Sequence, residues 1–493
     1  ALDFFSLDSI TLSGKGFIAV SDRAILRFSP ETGFSPAKDE QSLLSALQAR
    51  LPAGLLCVYA PGPLVLSELW QLSETVTNPY TAPAVGKNGI YLQTGYVINA
   101  KTREQYVALA KKNKLNMITI DVKDDYGRLR YVSNDPVVKS MYKPGSTLDI
   151  DSFAKEMKEQ GIYLVARIVV FKDQHMFEYG GGKYAVYDSK NKTPWRGYRL
   201  IQTTTTVPAT PPTTTAPGTA APVAKTTTTS TTQYYGEYWV DPYCEQIWQY
   251  NVAIAREVLA RGFDEVQFDY IRFPTDGVNI GDASFRWKDA GMDKESALMS
   301  FLQYARERIQ GPISIDIYGA NGWYRSGVRT GQDVELLSRY ADVICPMFYP
   351  SHFEQGFMAF APAEQRPYRI YKIGNLRTLY IGKKRIVVRP YVQAFYLNVS
   401  YDKLYYSPAY VAKEVDGVYQ STNQGMTFWN NVGRYDDIPV MQPSLSAVSI
   451  PNPPFLLPGI AAPQSASAPI PATQEAAAVP ATQVTPETKK VLD

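Results

Sequence analysis

Apolar side chains fall on every second position in a series of short runs that starts at Gly89. In MITIDVKDD, Ile118, Ile120 and Val122 share one face of an extended chain while Thr119, Asp121 and Lys123 share the other. EVQFDYIRF repeats the alternation, with Val266, Phe268 and Tyr270 against Gln267 and Asp269. ISIDIYG does so again, with Ile313, Ile315 and Ile317 against Ser314, Asp316 and Tyr318. Five further runs read as strands: GIYLQTGYV from Gly89, YLVARIVVF from Tyr163, DVICPMFYP from Asp342, IVVRPYVQAF from Ile386 and GMTFWNN from Gly425. Helical stretches lie between them: TREQYVALAKKNK, DIDSFAKEMKEQG, DPYCEQIWQYNVAIAREVLARG, DKESALMSFLQYARERIQG, DVELLSRYA and SPAYVAKEVDGVY. The segment between the sixth and seventh runs lacks a clear pattern.

Eight strands alternating with helices over residues 89–443 predict an α/β fold, a (β/α)8 TIM barrel, with a doubly wound parallel sheet as the alternative. Residues 1–80 hold a hairpin pattern, GFIAVSDRAILRF, a helical stretch, KDEQSLLSALQAR, and an apolar strand, GLLCVYA, which together predict a small α+β N-terminal domain. Residues 203–232 are Thr/Pro/Ala low complexity with almost no apolar bulk, so they are expected to be disordered. In a barrel they interrupt the loop after the third strand, as a neutral insertion or a carrier of O-linked sugars. The Pro/Ala-rich tail, 444–493, is expected to be disordered too.

A net charge of +3 with dispersed Lys and Arg gives no electrostatic footprint for nucleic acid or an anionic membrane. No apolar run approaches the roughly 18 residues of a membrane span. The chain starts at Ala1 without a methionine, which fits a removed signal peptide or an artificially trimmed chain; export to the periplasm, cell surface or surroundings is the expectation. Two histidines in separate segments and three cysteines with no close pair leave little material for a zinc site or a serine triad. No metal or cofactor is expected, and a metal-dependent deacetylase or esterase ranks last. Cys345, Met347 and Phe348 read as core.

If the apolar strand faces pack on outer helices, the polar faces point into the barrel, and Asp121, Asp269 and Asp316 converge near its mouth. Arg167, Arg389, Gln393, Tyr349 and Trp429 join them from other strands. Acids, cations, amides and aromatics around one cavity suit binding and hydrolysis of a sugar, although any one of the aspartates could instead be a structural ion pair. Asp241, before Pro242 and a long helix, reads as an N-cap. Asp124, Asp125 and Asp264 read as solvated. Glu354, in the loop after strand six, is a rival acid or an exposed loop residue, and His352 a loop hydrogen-bond donor or a substrate ligand.

GFDEVQFDYIRFP, with GIYL, NMITIDVKDDYG, DVICPMFYPSHF and VVRPYVQAF, resembles a glycoside hydrolase family with a (β/α)8 barrel related to the α-amylase and α-galactosidase superfamily. The resemblance spans roughly residues 89–443 without the Thr-rich insert. It implies that Asp269, at the end of strand four, is the nucleophile, and that Asp316 on strand five stands where the acid follows. It also implies a Trp and an acid in the strand-seven block, where this chain has Tyr391 and Ala394.

The expectation is therefore a glycoside hydrolase acting on a cell-envelope or extracellular polysaccharide. Asp269 is expected as nucleophile or base and Asp316 as general acid, with Glu354 as the second candidate. Asp121, Lys123, Arg167, Arg272, Tyr349, His352, Arg389, Gln393 and Trp429 are expected to bind substrate, Arg272 only if the backbone turns near Phe273. The alternative is a non-catalytic carbohydrate-binding barrel with a structural role in the envelope. Acids more than about 12 Å apart would disfavour catalysis.

Overall fold

The computed structural model describes residues 79–207, 225–324, 329–382 and 386–442, together with six strands within residues 7–71. The described residues fall into two units, one within residues 1–77 and one within residues 78–448. In the first, Leu7–Ser13, Gly16–Ser21, Ile25–Ser29 and Gly33–Pro36 form a four-stranded antiparallel sheet, and Leu55–Tyr59 pairs with Leu66–Gln71. The helix expected in this unit (38–50) and the tail 444–493 lie outside the described residues.

The second unit is a closed barrel of eight parallel strands. These are β1 (Lys87–Leu92), β2 (Met117–Lys123), β3 (Tyr163–Val169), β4 (Glu265–Asp269), β5 (Ile313–Tyr318), β6 (Val343–Met347), β7 (Val387–Val388 and Tyr391–Gln393) and β8 (Gly425–Trp429). Each pairs with the next, and β8 returns to β1 with Thr427 opposite Gly89. Pro390, which has no N–H to give, stands in the break between the two parts of β7. At Gly89 a Cβ would fall on the Met117 carbonyl oxygen, so only glycine lets β1 approach β2 there.

Helices between the strands include α1 (Ala100–Lys112), α2 (Ile150–Glu159), α3 (Glu245–Ala260), α4 (Lys294–Arg308), α5 (Val334–Leu337), α6 (Arg366–Ile381) and α7 (Pro408–Tyr419). Helix α6 fills the segment that lacks a clear sequence pattern. The outward strand residues pack on these helices as alternation requires: the Phe268 ring lies 5.2 Å from that of Phe301 on α4. No helix among the described residues is long and apolar enough to cross a membrane.

Several expectations are corrected. The first strand stops at Leu92, and Thr94–Ile98 is a short helix whose Thr94 hydroxyl donates to the Asp121 carbonyl. Strand β4 stops at Asp269 because Tyr270 turns into the left-handed region at φ 52°. The flanks of the Thr-rich stretch, expected to be disordered, are strands: Tyr198–Val207 pairs antiparallel with Lys225–Tyr234, with Thr203 opposite Thr229 and Thr205 opposite Thr227. β-branched Thr favours extended backbone, and the ladder satisfies its backbone groups without an apolar core; residues 208–224 lie outside the described residues. Asp241 does not cap α3, which begins behind Cys244. Its carboxylate instead accepts from the N–H groups of Tyr243 (3.0 Å) and Trp287 (3.1 Å).

The inward positions of β4 stack at three heights. Lowest, Glu265 is ion-paired with Arg389 (Nη1 to Oε2 3.1 Å) and accepts from the Tyr163 hydroxyl at 3.0 Å. Above it, Gln267 accepts from the Tyr391 hydroxyl at 2.6 Å and donates to Cys345 Sγ at 3.3 Å. Highest is Asp269. The lumen is thus a packed core up to the mouth, where barrel active sites form.

Candidate active site

Arg167 on β3 is the centre of the mouth. Its Nη1 donates to Asp121 Oδ1 at 2.5 Å, and its Nε and Nη2 donate to Asp269 Oδ2 at 3.0 and 2.5 Å. Asp269 Oδ1 accepts from the backbone N–H of Tyr270 at 2.6 Å, so the kink that ends β4 also fixes the carboxylate. Tyr91 on β1 donates its hydroxyl to Asp121 Oδ2 at 2.6 Å. All three charged groups are buried. Burial outweighs the attraction of Arg167 and pushes the Asp121 carboxyl up to about 6.

Asp316 stands beside this set. Arg167 Nε lies 3.0 Å from Asp269 Oδ2 and 4.0 Å from Asp316 Oδ2, so the two oxygens are at most about 7 Å apart, not beyond the reach of glycosidase carboxyl pairs. Both Asp316 oxygens are enclosed and lack a hydrogen-bond partner among the described residues. Burial first, and then the charge of Asp269, hold this carboxyl well above the usual carboxylate range.

Aromatic side chains wall the mouth. Trp429 stacks on Tyr91 with ring centroids 3.9 Å apart, and Arg167 lies 5.4 Å from the Trp429 ring. Tyr349 packs against His352 (5.2 Å) and Phe395 (5.3 Å), and its hydroxyl is neither hydrogen-bonded nor enclosed among the described residues. His352 is exposed, its Nδ1 lies 3.0 Å from Ser351 Oγ, and partial loss of water around the ring pulls its imidazole down to about 4.

Sequence parity thus gathers Asp121, Asp269, Asp316, Arg167, Tyr349 and Trp429, while three expected substrate contacts have other work. Lys123 is fully buried in the barrel wall, donating to Asp173 at 2.6 Å and Asn251 of α3 at 2.9 Å. The cause is a register shift: Arg167 pairs with Asp121 but Ile168 with Lys123, an irregularity that breaks the alternation read from sequence. Arg389 lies at the lower level with Glu265, two positions before Tyr391. Gln393 is fully buried and committed, accepting from Ser351 N at 3.1 Å and donating to Phe395 O at 2.9 Å and Asp402 Oδ2 at 2.7 Å. Glu354 is exposed, and among the described residues its carboxylate has no hydrogen bond or ion pair. Arg272 does reach the mouth, because the turn at Tyr270 redirects the chain, and it stacks on Tyr318.

Tyr91, which holds Asp121, is absent from the sequence-based set. The same parity would have found it, since Ile90 and Leu92 flank it with apolar side chains. Glu265 likewise shares the face of Gln267 and Asp269.

Fold and site together define a (β/α)8 barrel whose carboxylates gather where such barrels carry out chemistry. The family model described as "Putative glycosyl hydrolase domain" matches residues 89–435, and the chain belongs to that family. None of the curated proteins compared matches the sequence. Among solved structures, a hypothetical protein from Ruminiclostridium thermocellum is 29% identical, with 46% of this chain and 96% of that one covered at a TM-score of 0.35. The PgaB (BpsB) glycoside hydrolase domain from Bordetella bronchiseptica is 11% identical, with 70% and 94% covered at 0.44. The α-galactosidase TtGalA from Thermus thermophilus, in complex with stachyose, is 11% identical, with 85% and 72% covered at 0.40.

Proposed function

We propose that the barrel hydrolyses glycosidic bonds of a cell-envelope or extracellular polysaccharide by a two-carboxylate mechanism, acting outside the cytoplasm. The observation that carries this reading is the contrast between neighbouring acids. Asp269 accepts charge-assisted hydrogen bonds from Arg167, whereas burial and then the Asp269 charge raise the Asp316 carboxyl well above the usual carboxylate range. Neighbouring carboxyls in surroundings this unlike are suited to divide base and acid roles between them.

Asp269 serves as nucleophile or base and Asp316 as the acid that protonates the leaving oxygen. Among the described residues no hydrogen bond holds the Asp316 carboxyl, and its nearest cation, Arg167, stands 4.0 Å away. Asp121 and Tyr91 orient Arg167, which keeps Asp269 in place. Trp429, Tyr349 and His352 offer the sugar aromatic faces and hydrogen bonds. Nothing aims the exposed Glu354 at a reacting bond, which leaves the acid role with Asp316.

The test is hydrolysis of a panel of envelope and plant polysaccharides by the wild type, Asp269→Asn and Asp316→Asn. Each variant is expected to lose about 10²-fold or more in rate while keeping the wild-type circular dichroism. Unchanged hydrolysis by folded variants would sink the assignment. The enclosure of Asp316 favours the second reading, a carbohydrate-binding barrel without catalysis; binding of a polysaccharide that the wild type never cleaves would establish it.

A further inference from the structure

Arg272 is buried, yet among the described residues its guanidinium has no carboxylate within ion-pair distance. Its one hydrogen bond runs from Nη1 to the Phe273 carbonyl at 3.3 Å, and none of its nitrogens is among the enclosed unpartnered atoms. The N–H groups without a partner therefore keep some exposed surface, beside the Tyr318 ring. Three rings fix the guanidinium, their centroids lying 4.5 Å (Trp239), 4.7 Å (Tyr318) and 5.3 Å (Tyr270) from Cζ. Tyr318 lies two residues beyond Asp316 on β5, on the same strand face, so Arg272 sits higher in the mouth by about 7 Å.

A nearly buried cation is costly to keep without a counter-ion. Of the acids described nearby, Glu237 and Asp276 act on Arg272 through space, without a hydrogen bond from its guanidinium. Asp121 and Asp269 hold Arg167, Asp125 pairs with Lys172 at 3.3 Å, and Glu237 accepts from the Trp239 indole at 3.1 Å. Asp276, whose charge also reaches Arg272, accepts from the Thr275 hydroxyl at 3.2 Å. Lys172 lies over the same Tyr270 ring at 4.8 Å and adds positive potential.

We propose that Arg272, with Lys172 beside it, is a subsite for an oxyanion substituent on the sugar next to the cleavage point, so that the substrate is an acidic polysaccharide. The inference rests on the hydrolase reading of the cleft. A planar guanidinium fork fits carboxylate, sulfate and phosphate alike, and the experiment separates these sources.

The full chain is titrated with uronic-acid, sulfated and phosphorylated oligosaccharides, each beside its carboxyl-reduced, desulfated or dephosphorylated counterpart. At least one acidic member is expected to bind about tenfold or more tightly than its neutral counterpart, as suits a charge-assisted contact. That preference should weaken with added salt, shrink to within about twofold in Arg272→Gln and persist in part in Arg272→Lys. Salt dependence in the wild type keeps the test decisive if a variant does not fold. No acidic preference, or one that survives in folded Arg272→Gln, overturns the subsite. Acid-preferring binding without cleavage defeats the hydrolase reading alone, and cleavage lost in Asp316→Asn without any acidic preference defeats the subsite alone.

Discussion

One guanidinium, that of Arg167, decides where two carboxylates of the mouth stand, because its fork reaches Asp121 with one arm and Asp269 with the other two nitrogens. A lysine would supply the charge without the fork. Arg167→Lys is expected to lower hydrolysis by about 10²-fold through misplacement of Asp269, measured as kcat/KM on whichever polysaccharide the wild type cleaves. Substitution of Tyr349, which touches no carboxylate through its hydroxyl, should leave that geometry intact. At this scale the sequence reading was strong for β2, β4 and β5, since alternation alone puts Asp121, Asp269 and Asp316 on inward faces. It could not foresee that Asp316 would lack partners, because an absent hydrogen bond depends on every neighbour at once.

At the scale of elements, the barrel strands follow from apolar alternation, and their misreadings share one cause. Alternation holds only while the backbone stays extended and in register. A shift between Asp121 and Lys123 takes Lys123 to partners more than a strand away, Asp173 and Asn251, and a break at Arg389-Pro390 keeps Arg389 on the lower level. Helix α6 was illegible because its buried set includes Arg366, Arg369, Asn375 and Thr378 beside the apolar residues. Arg366, for instance, is satisfied by the carbonyls of Pro350, Phe353, Glu354 and Phe357, contacts no local pattern announces. The wall position of Lys123 has a consequence for mutagenesis. Lys123→Met leaves Asp173 buried without its cation and is expected to cost about 3 kcal/mol in urea unfolding, with KM unchanged wherever the variant is folded.

At the scale of the whole molecule, several buried acids make stability depend on pH. Glu414 of α7 is fully buried, both its oxygens lack partners among the described residues, and burial followed by the charge of Asp402 holds it well above the usual range. Asp121 and Asp241, each raised to about 6 chiefly by burial, behave alike. A folded carboxyl raised above its unfolded value binds more protons in the native state, so its stabilising contribution is present below about pH 4 and is lost as pH rises through the folded pKa. Glu414→Gln removes one such group. Its thermal midpoint should exceed that of the wild type at pH 8 and approach it at pH 4; an equal offset at both pH values would show that Glu414 does not titrate in this way.

The Thr-rich hairpin enters and leaves the barrel at a single rung, where Tyr198 faces Tyr234 with ring centroids 5.7 Å apart. The described strands beyond that rung, Tyr198–Val207 and Lys225–Tyr234, pair only with each other and form an appendage in the topological sense. Its length and lettering are free variables for evolution, since lengthening or shortening it beyond that rung leaves the distance the chain must bridge between β3 and α3 unchanged. Because these strands pair only with each other, sequence added beyond that rung enters no strand pairing of the barrel.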